Sequence, residues 1–149
     1  MGNKKPEFGF GVHLMMDGYG ADPNLLQDMN FIYNFLDEYP GKMDMTKIMP
    51  PYVFRYQGVV PEDWGISGFV LIAESHISIH TFPDKQYLSV DMFSCKQFDT
   101  GRAVEALQNL FRIQKYELKV LDRGQEFPNT IEASAQVVRM DRILKQRAR

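Results

Sequence analysis

The sequence predicts an α+β fold, a two-layer α/β sandwich in which helices cover one face of a mainly antiparallel sheet. Three patterns support this prediction. Short alternating or continuous apolar segments are typical of strands, two longer segments have helical periodicity, and the strands are connected through hairpins as well as crossovers. A length of 149 residues suits one such domain with a buried core of ordinary size.

The first half of the chain predicts three strands and one helix. The segment that begins at Gly65 has so few polar residues that we expect a strand buried on both faces. In chain order, the elements are a strand over residues 8–17, a helix that Asp22 caps and Pro40-Gly41 ends, and strands over residues 52–56 and 65–73.

The second half contains the clearest hairpin. Its strands cover residues 76–82 and 87–95, joined by a turn at residues 83–86. Asp99 or Thr100 then caps a second helix, and residues 116–122 alternate as a last strand.

The domain boundary is expected near residue 130. Residues 1–130 form a single domain in this interpretation, and residues 131–149 form a basic C-terminal tail with five basic and two acidic residues. A solvated tail is the favoured interpretation of that composition, and a weak amphipathic helix is the alternative.

Composition excludes several classes of protein. The net charge of -2 gives no reason to expect nucleic acid as a partner, and no apolar run is long enough to cross a membrane. The chain has one cysteine and therefore no internal disulfide, which fits the cytoplasm. A metal site is not expected, since His76 and His80 have a spacing that suits chelation from a helix better than from a strand.

Reactive side chains are dense between residues 65 and 95. On a strand, serine and histidine can also decorate a wet face, and alternate residues from His76 to His80 share the parity that such a face requires. From the pattern alone, a reactive site and an ordinary solvent-exposed strand face both remain open. The reactive residues are Ser67, Glu74, Ser75, His76, Ser78, His80, Asp91 and Cys95.

Pairing the predicted hairpin brings the lone thiol to one peptide bond. If residues 83–86 form the loop, Phe82 lies opposite Tyr87, and the count continues until Glu74 lies opposite Cys95. Directly opposed residues have Cβ atoms about 4.5–5.5 Å apart. Cys95 is therefore expected beside the bond between Glu74 and Ser75.

His80 is harder to bring to the same bond within one chain. It lies five residues from Ser75, which is about 16 Å along a straight strand, and an odd spacing turns the two side chains to opposite faces. Ser67 is farther still along the sequence. We therefore predict a homodimer in which the neighbouring subunit supplies Ser67 and His80 to a shared active site.

Three runs of residues carry a resemblance to a known family: residues 65–68 (GISG), 71–83 (LIAESHISIHTFP) and 91–95 (DMFSC). On these residues the chain resembles the S-adenosylmethionine decarboxylase family in its short prokaryotic form. His13, Asp17 and the first helix extend the likeness more loosely, so that it covers about two-thirds of the chain. The family's fold is an α/β sandwich, and its short members form dimers.

The resemblance implies a role for each of five residues. Ser75 attacks the carbonyl of Glu74, the chain is cut into residues 1–74 and 75–149, and Ser75 becomes a pyruvoyl group, the only cofactor expected. His80 takes the proton for the elimination that follows, assisted by Ser67. A carbonyl that forms a Schiff base with the substrate amine then accepts the electrons released by decarboxylation, and Cys95 returns a proton. The product is the aminopropyl donor for spermidine synthesis.

The sequence is compatible with more than one substrate. Trp64, Phe82 and Glu74 are the candidate substrate-binding residues, with Trp64 stacking on adenine or facing the sulfonium. Trp64 also fits a partly buried loop residue. The alternatives are a pyruvoyl-dependent arginine or ornithine decarboxylase on the same fold and an inactive relative that binds a partner enzyme.

Overall fold

The computed structural model describes residues 8–147, and its six strands form one sheet in the order β2-β3-β4-β5-β1-β6. The four pairings β2–β3, β3–β4, β4–β5 and β5–β1 are antiparallel, which confirms the predicted class. The elements are β1 (Gly11–Tyr19), α1 (Pro23–Leu26), α2 (Met29–Lys42), β2 (Tyr52–Gln57), β3 (Trp64–Ile72), β4 (Ser75–Phe82), a 3₁₀ turn (Pro83–Lys85), β5 (Tyr87–Ser94), α3 (Thr100–Phe111), β6 (Lys115–Arg123) and α4 (Ile131–Arg147).

One face of the sheet is buried beneath α2 and α3. Alternate residues of the central strands, such as Ile77 and Val90, are at most 1% exposed and belong to one apolar cluster with Leu36 of α2 and Leu107 and Phe111 of α3. Burial of several such side chains, each worth about 1.5–3 kcal/mol, holds the two layers together. The core therefore fixes which face of every strand remains available for a site.

The opposite side of the sheet carries no helix from residues 12–121, and we call it the open face. It is formed by the alternate residues that include Ser67 and Phe69 of β3 and His76 and His80 of β4. Phe69 and Leu71 are 37% and 39% exposed. The expectation that β3 is buried on both faces is therefore wrong, because helices cover only one side of this antiparallel sheet.

The helix expected from residue 23 to residue 40 is two helices. Asp22 caps α1, but the chain leaves the helix at Gln27, and Asp28 caps α2 by accepting hydrogen bonds from two backbone N–H groups of the next turn. Each aspartate satisfies donors that a helix start leaves unpaired. Pro40 lies inside α2, which continues to Lys42.

Two glycines allow close packing around Ser67. A Cβ atom at Gly65 would lie 1.7 Å from the carbonyl oxygen of Thr81, and one at Gly68 would lie 2.8 Å from a side-chain atom of Leu36. Only a residue without a side chain fits the first position. The glycines that flank Ser67 thus have a packing function, which lets β3 approach both β4 and α2.

The chain divides into two compact units, Val12–Leu121 and a second unit made of Met1–Gly11 with Asp122–Arg149, of which residues 8–11 and 122–147 are described. In the second unit, Gly9 donates a backbone hydrogen bond to the carbonyl of Phe127, and the rings of Phe10 and Phe127 meet edge to face at 4.9 Å. The predicted boundary near residue 130 stays a prediction.

The C-terminal segment forms the helix α4 rather than the irregular tail that its composition favours. Thr130 accepts a hydrogen bond from the backbone N–H of Ala133 at its start, and Ala133 is 1% exposed. Most other side chains of α4 are exposed, Leu144 to 60%. Across residues 8–147, no helix has both the length and the apolar character needed to cross a membrane.

Candidate active site

The bond between Glu74 and Ser75 lies in a tight hairpin turn between β3 and β4. Ile72 pairs with Ser75, so that only Ala73 and Glu74 form the turn. Hydrogen bonds fix both the side chain and the backbone of Glu74. Its carboxylate accepts one from the backbone N–H of Thr46 at 3.1 Å, and its carbonyl accepts one from the N–H of Cys95 at 2.8 Å. The register predicted from the sequence, with Glu74 opposite Cys95, is confirmed.

Ser75 has an unusual backbone conformation. Its φ is +153°, whereas neither Ala73 nor Glu74 is among the described non-glycine residues with positive φ. Two-residue hairpin turns that match the twist of their strands place positive φ inside the turn. Here the distortion falls on the residue after it, at a cost of about 1–3 kcal/mol. Strain is thus concentrated at one end of the peptide bond that the sequence singles out.

Ser67 and His80 form a hydrogen-bonded pair on the open face. They are directly opposed on β3 and β4, and the Ser67 hydroxyl lies 2.8 Å from Nδ1 of His80. The expectation that Ser67 is farther from the site than His80 is wrong, because the turn at residues 73–74 folds β3 back along β4. This hydrogen-bonded pair lies five residues along β4 from Ser75, about 16 Å at strand spacing.

Cys95 follows the last residue of β5 and is exposed. Two hydrogen bonds connect its neighbours Ser94 and Lys96. The Ser94 hydroxyl accepts one from the N–H of Lys96 at 3.0 Å and donates one to the carbonyl oxygen of Lys96 at 2.7 Å. Cys95 is therefore the central residue of a closed turn beside the Glu74 carbonyl. The sequence did not single out Ser94, although a serine at a strand end is a recognisable signal for such a turn.

A second polar pair lies close to Cys95 on the open face. Nε2 of His13 is 3.3 Å from a carboxylate oxygen of Asp91, and the His13 ring packs against Phe93 with centroids 5.7 Å apart. Phe93 also meets the ring of His76, at 5.8 Å. The two histidines flank one aromatic ring two residues before the thiol. His76 and His13 are thus packed against Phe93 on the open face.

Tyrosines line the far end of β1 and β5. The Tyr87 hydroxyl donates a 2.6 Å hydrogen bond to Asp17, and the Tyr19 hydroxyl donates a 3.2 Å bond to Glu117. Burial, and then the hydrogen bond to Asp17, raises the pKa of Tyr87 far above its usual value. Burial and Glu117 raise the pKa of Tyr19 in the same direction. Both phenols therefore remain neutral donors that orient the carboxylates.

The structure does not bring Trp64 together with Phe82. Trp64 has the parity of Ile66 and lies towards the helix-covered side, where its ring carries the Arg55 guanidinium at 4.5 Å and its indole N–H donates to Asp84 at 2.9 Å. Phe82 has the parity of the open face and packs against Tyr87. One face of the indole is therefore already occupied, and a substrate-binding role for Trp64 stays a prediction.

The arrangement combines a nucleophile with a polarised carbonyl. Ser75 is adjacent in sequence to the carbonyl of Glu74, and a backbone N–H points at the oxygen on which negative charge would develop during attack. The Ser67–His80 pair provides a separate group able to accept a proton. This set fits a serine that cuts its own chain.

Comparison with known proteins decides the family. The family model described as S-adenosylmethionine decarboxylase matches residues 12–124, about three-quarters of the chain. The chain belongs to the S-adenosylmethionine decarboxylase family. That family is pyruvoyl-dependent, and its matched region contains every residue of the candidate site and ends before α4.

Relatives and a solved structure agree with this family assignment. The S-adenosylmethionine decarboxylase proenzyme of Clostridium botulinum strain Langeland is 34% identical over 115 residues, covering 76% of this chain and 94% of the relative. That of Pyrococcus horikoshii is 32% identical over 117 residues, or 78% and 80% of the two chains. The adenosylmethionine decarboxylase of Aquifex aeolicus superimposes with a TM-score of 0.67 at 28% identity, covering 78% of this chain and 92% of the other.

Proposed function

We propose that this chain is a self-processing S-adenosylmethionine decarboxylase that cuts itself between Glu74 and Ser75. The observation that carries the proposal is the geometry of that bond. Its carbonyl oxygen accepts the Cys95 N–H at 2.8 Å, and the serine that follows has a φ of +153°. A polarised carbonyl beside a strained serine is what an intramolecular attack needs.

The cut proceeds by rearrangement within the chain. The Ser75 hydroxyl oxygen forms a bond to the Glu74 carbonyl carbon, the C–N bond breaks, and the hydroxyl proton moves to the freed amine, which leaves an ester. Removal of the Ser75 Cα proton then breaks the bond between Cβ and the ester oxygen and releases Glu74 as a carboxylate. The elimination leaves a dehydroalanine, which gains a proton at Cβ and loses one from nitrogen to become an imine. Water then replaces the nitrogen, ammonia leaves, and the new chain start is a pyruvoyl group.

His80 is proposed as the base that removes the Cα proton. The hydroxyl of Ser67, 2.8 Å from its Nδ1, fixes the orientation of the ring. Because this pair lies about 16 Å along β4 from the Ser75 of its own chain, a second copy is the proposed source of the pair. The roles of Ser67 and His80 thus depend on a homodimer with a shared site.

The open face is the proposed dimer interface. Its outer strands present aromatic side chains to solvent, with Tyr52, Phe54 and Tyr56 of β2 between 42% and 57% exposed beside Phe69. An exposed apolar patch of this kind is typical of an interaction surface. A two-fold axis that packs one open face on another would bring the Ser67–His80 pair of each copy to its partner.

Complementation tests the shared site. In a dimer of a tagged Ser75→Ala chain with an untagged His80→Ala chain, one site regains both an intact serine and an intact histidine. We expect co-expression to cut the His80→Ala chain, whereas each variant alone stays uncut. Absence of cutting in confirmed mixed dimers would show that both residues act within one chain.

The pyruvoyl group supplies a carbonyl that accepts the electrons released when the substrate loses carbon dioxide. The residues of this chain are proposed to contact the substrate and to supply the proton that replaces its carboxylate. Cys95, on the turn after β5, is proposed to deliver a proton from Sγ to the substrate carbon. Phe82 on the open face and the Glu74 carboxylate of the new chain end are proposed to contact the substrate. A cytoplasmic location belongs to the proposal, because a reducing compartment keeps the thiol free.

Substrate specificity is tested directly. Carbon dioxide release is measured with S-adenosylmethionine, arginine and ornithine, and with a Ser75→Ala protein as control. We expect release from S-adenosylmethionine alone, with decarboxylated S-adenosylmethionine, the aminopropyl donor for spermidine, as the product. Release from arginine or ornithine, with none from S-adenosylmethionine, would overturn the proposed substrate.

A further inference from the structure

Ser94 is fully buried and has no place in the chemistry described above, yet its side chain makes two hydrogen bonds to one residue. It is 0% exposed and is one of two buried polar residues among those described, the other being Thr81. Its hydroxyl accepts the N–H of Lys96 at 3.0 Å and donates to the Lys96 carbonyl at 2.7 Å. A buried hydroxyl costs free energy unless it is paired, and here both of its capacities are used on the local backbone.

These two hydrogen bonds close the chain around Cys95. Ser94, the last residue of β5, precedes Cys95 and pairs with Ser75 across the sheet. Lys96, which follows Cys95, is hydrogen-bonded to the Ser94 hydroxyl. The backbone N–H of Cys95 lies between these two fixed points and is 2.8 Å from the Glu74 carbonyl oxygen. Without the tether, only β5 would hold this donor, at the point where the strand ends.

We infer that Ser94 is a positioning residue for self-cleavage: it holds the Cys95 N–H on the carbonyl that the Ser75 hydroxyl attacks. This inference rests on the proposed cut at Glu74–Ser75. In that step a bond forms from the serine oxygen to the carbonyl carbon, and negative charge accumulates on the carbonyl oxygen until the C–N bond breaks. A donor already in place stabilises that charge without reorganisation, and loss of one such donor typically slows acyl transfer by about 10²–10³-fold.

The first test is the rate of self-cleavage. Newly synthesised chains are followed on denaturing gels as the full-length band gives way to two fragments. We expect Ser94→Ala to slow the cut at least about 10-fold, a part of the effect of losing a whole donor. Ser94→Thr, which keeps the hydroxyl, is expected to recover most of the rate. Ser94→Cys, which keeps the volume but bonds weakly, should cut slowly even if the alanine variant folds poorly.

Tyr39→Phe is the matched control. Tyr39 of α2 is 3% exposed, and its hydroxyl donates a 2.9 Å hydrogen bond to the carbonyl of Ala103. The variant removes a buried, paired hydroxyl from the core without touching β4 or the turn at Cys95, and it is expected to lower the melting temperature without slowing the cut. If Tyr39→Phe and Ser94→Ala slow the cut equally at equal loss of stability, Ser94 has no specific positioning role.

The second test measures the donor itself. In Ser75→Ala chains, which stay uncut, hydrogen exchange at the Cys95 amide reports on its bond to Glu74. Adding Ser94→Ala is expected to speed exchange at this amide at least about 10-fold, with no change at Val90 in the interior of β5. An unchanged Cys95 amide would overturn the inference.

The two proposals fail in different ways. If wild-type chains never cut, the proposed function fails whatever the Ser94 variants do. If wild-type chains cut and Ser94→Ala and Ser94→Cys cut at the wild-type rate, self-cleavage stands and the role of Ser94 is overturned.

Discussion

The strands around the candidate site and the C-terminal helix α4 differ in how many of their side chains are buried or hydrogen-bonded. In β3 to β5 the apolar residues that face α2 and α3 are buried in the core, and the buried hydroxyls of Thr81 and Ser94 are hydrogen-bonded. In α4, Met140 and Leu144 remain 59% and 60% exposed, and the helix lies outside the region that matches the family. Substitutions near the site should therefore alter chemistry or packing, whereas those in α4 should alter little.

The largest effect is expected from Ser75→Ala. This change removes the oxygen that attacks Glu74, so that the chain stays whole and carbon dioxide release is lost completely. Ser134→Ala in α4 is the matched control and should cut and react as the wild type does. Mass spectrometry and a release assay measure both. Cutting of the Ser75→Ala chain would place the scissile bond elsewhere.

His80→Ala should stop the process one step later. The acyl shift needs no base at Cα, so the ester should accumulate while elimination slows by about 10²–10⁴-fold. Hydroxylamine attacks esters faster than amides and should split the stalled chain at residue 74. Ser67→Ala should show the same pattern more weakly, since it removes only the partner of His80 Nδ1. A stalled chain resistant to hydroxylamine would mean that His80 acts before the ester forms.

Cys95→Ala separates self-cleavage from turnover. The backbone N–H that contacts Glu74 remains in this variant, so we expect the chain to cut at close to the wild-type rate. Product formation per cut chain should fall by about 10²-fold, because the proposed proton donor is gone. Gel analysis and product assay on one preparation give the two rates. Equal loss of both would contradict this division of roles.

Gly65→Ala tests packing beside the site. The added Cβ would lie 1.7 Å from the Thr81 carbonyl, and we expect unfolding to become easier by at least about 2 kcal/mol. Gly41→Ala is the control, since a Cβ there meets nothing within 4 Å inside α2, and a helical alanine should stabilise by about 0.4–1 kcal/mol. Urea denaturation of the two variants measures the difference. Similar midpoints would show that β3 can move away from β4.

The smallest effect is expected from Leu144→Gln in α4. The side chain is 60% exposed, so stability should change by no more than about 0.5 kcal/mol and cutting should not change. Thermal melting and gel analysis measure these two quantities. A large loss of stability or of dimer would mean that α4 packs against a partner, and it would weaken the contrast drawn above.

Local patterns sufficed for most of the fold. Alternating residues located the hairpin and its register down to Glu74 and Cys95, because a one-residue slip would have turned the buried side of β4 to water. The break between α1 and α2 was missed, since Asp28 reads as an ordinary polar residue within a helical repeat. Its function as a second cap depends on where the chain turns.

Contacts across strands were harder to predict than contacts along them. Ser67 and His80 are thirteen residues apart, and nothing in their spacing shows that a two-residue turn at Ala73 and Glu74 sets them face to face. That turn lacks the glycine or asparagine that usually marks a hairpin. Ser75 has the positive φ that such a glycine or asparagine would otherwise adopt, and this is visible only in the backbone conformation.

Mass spectrometry of the purified wild-type protein tests the central claim most directly. The account predicts two polypeptides, residues 1–74 and 75–149, with the second lighter by one ammonia than a serine-initiated chain and gaining two hydrogens on borohydride reduction. A single polypeptide of full length, unchanged by borohydride and with an ordinary serine at position 75, would contradict it.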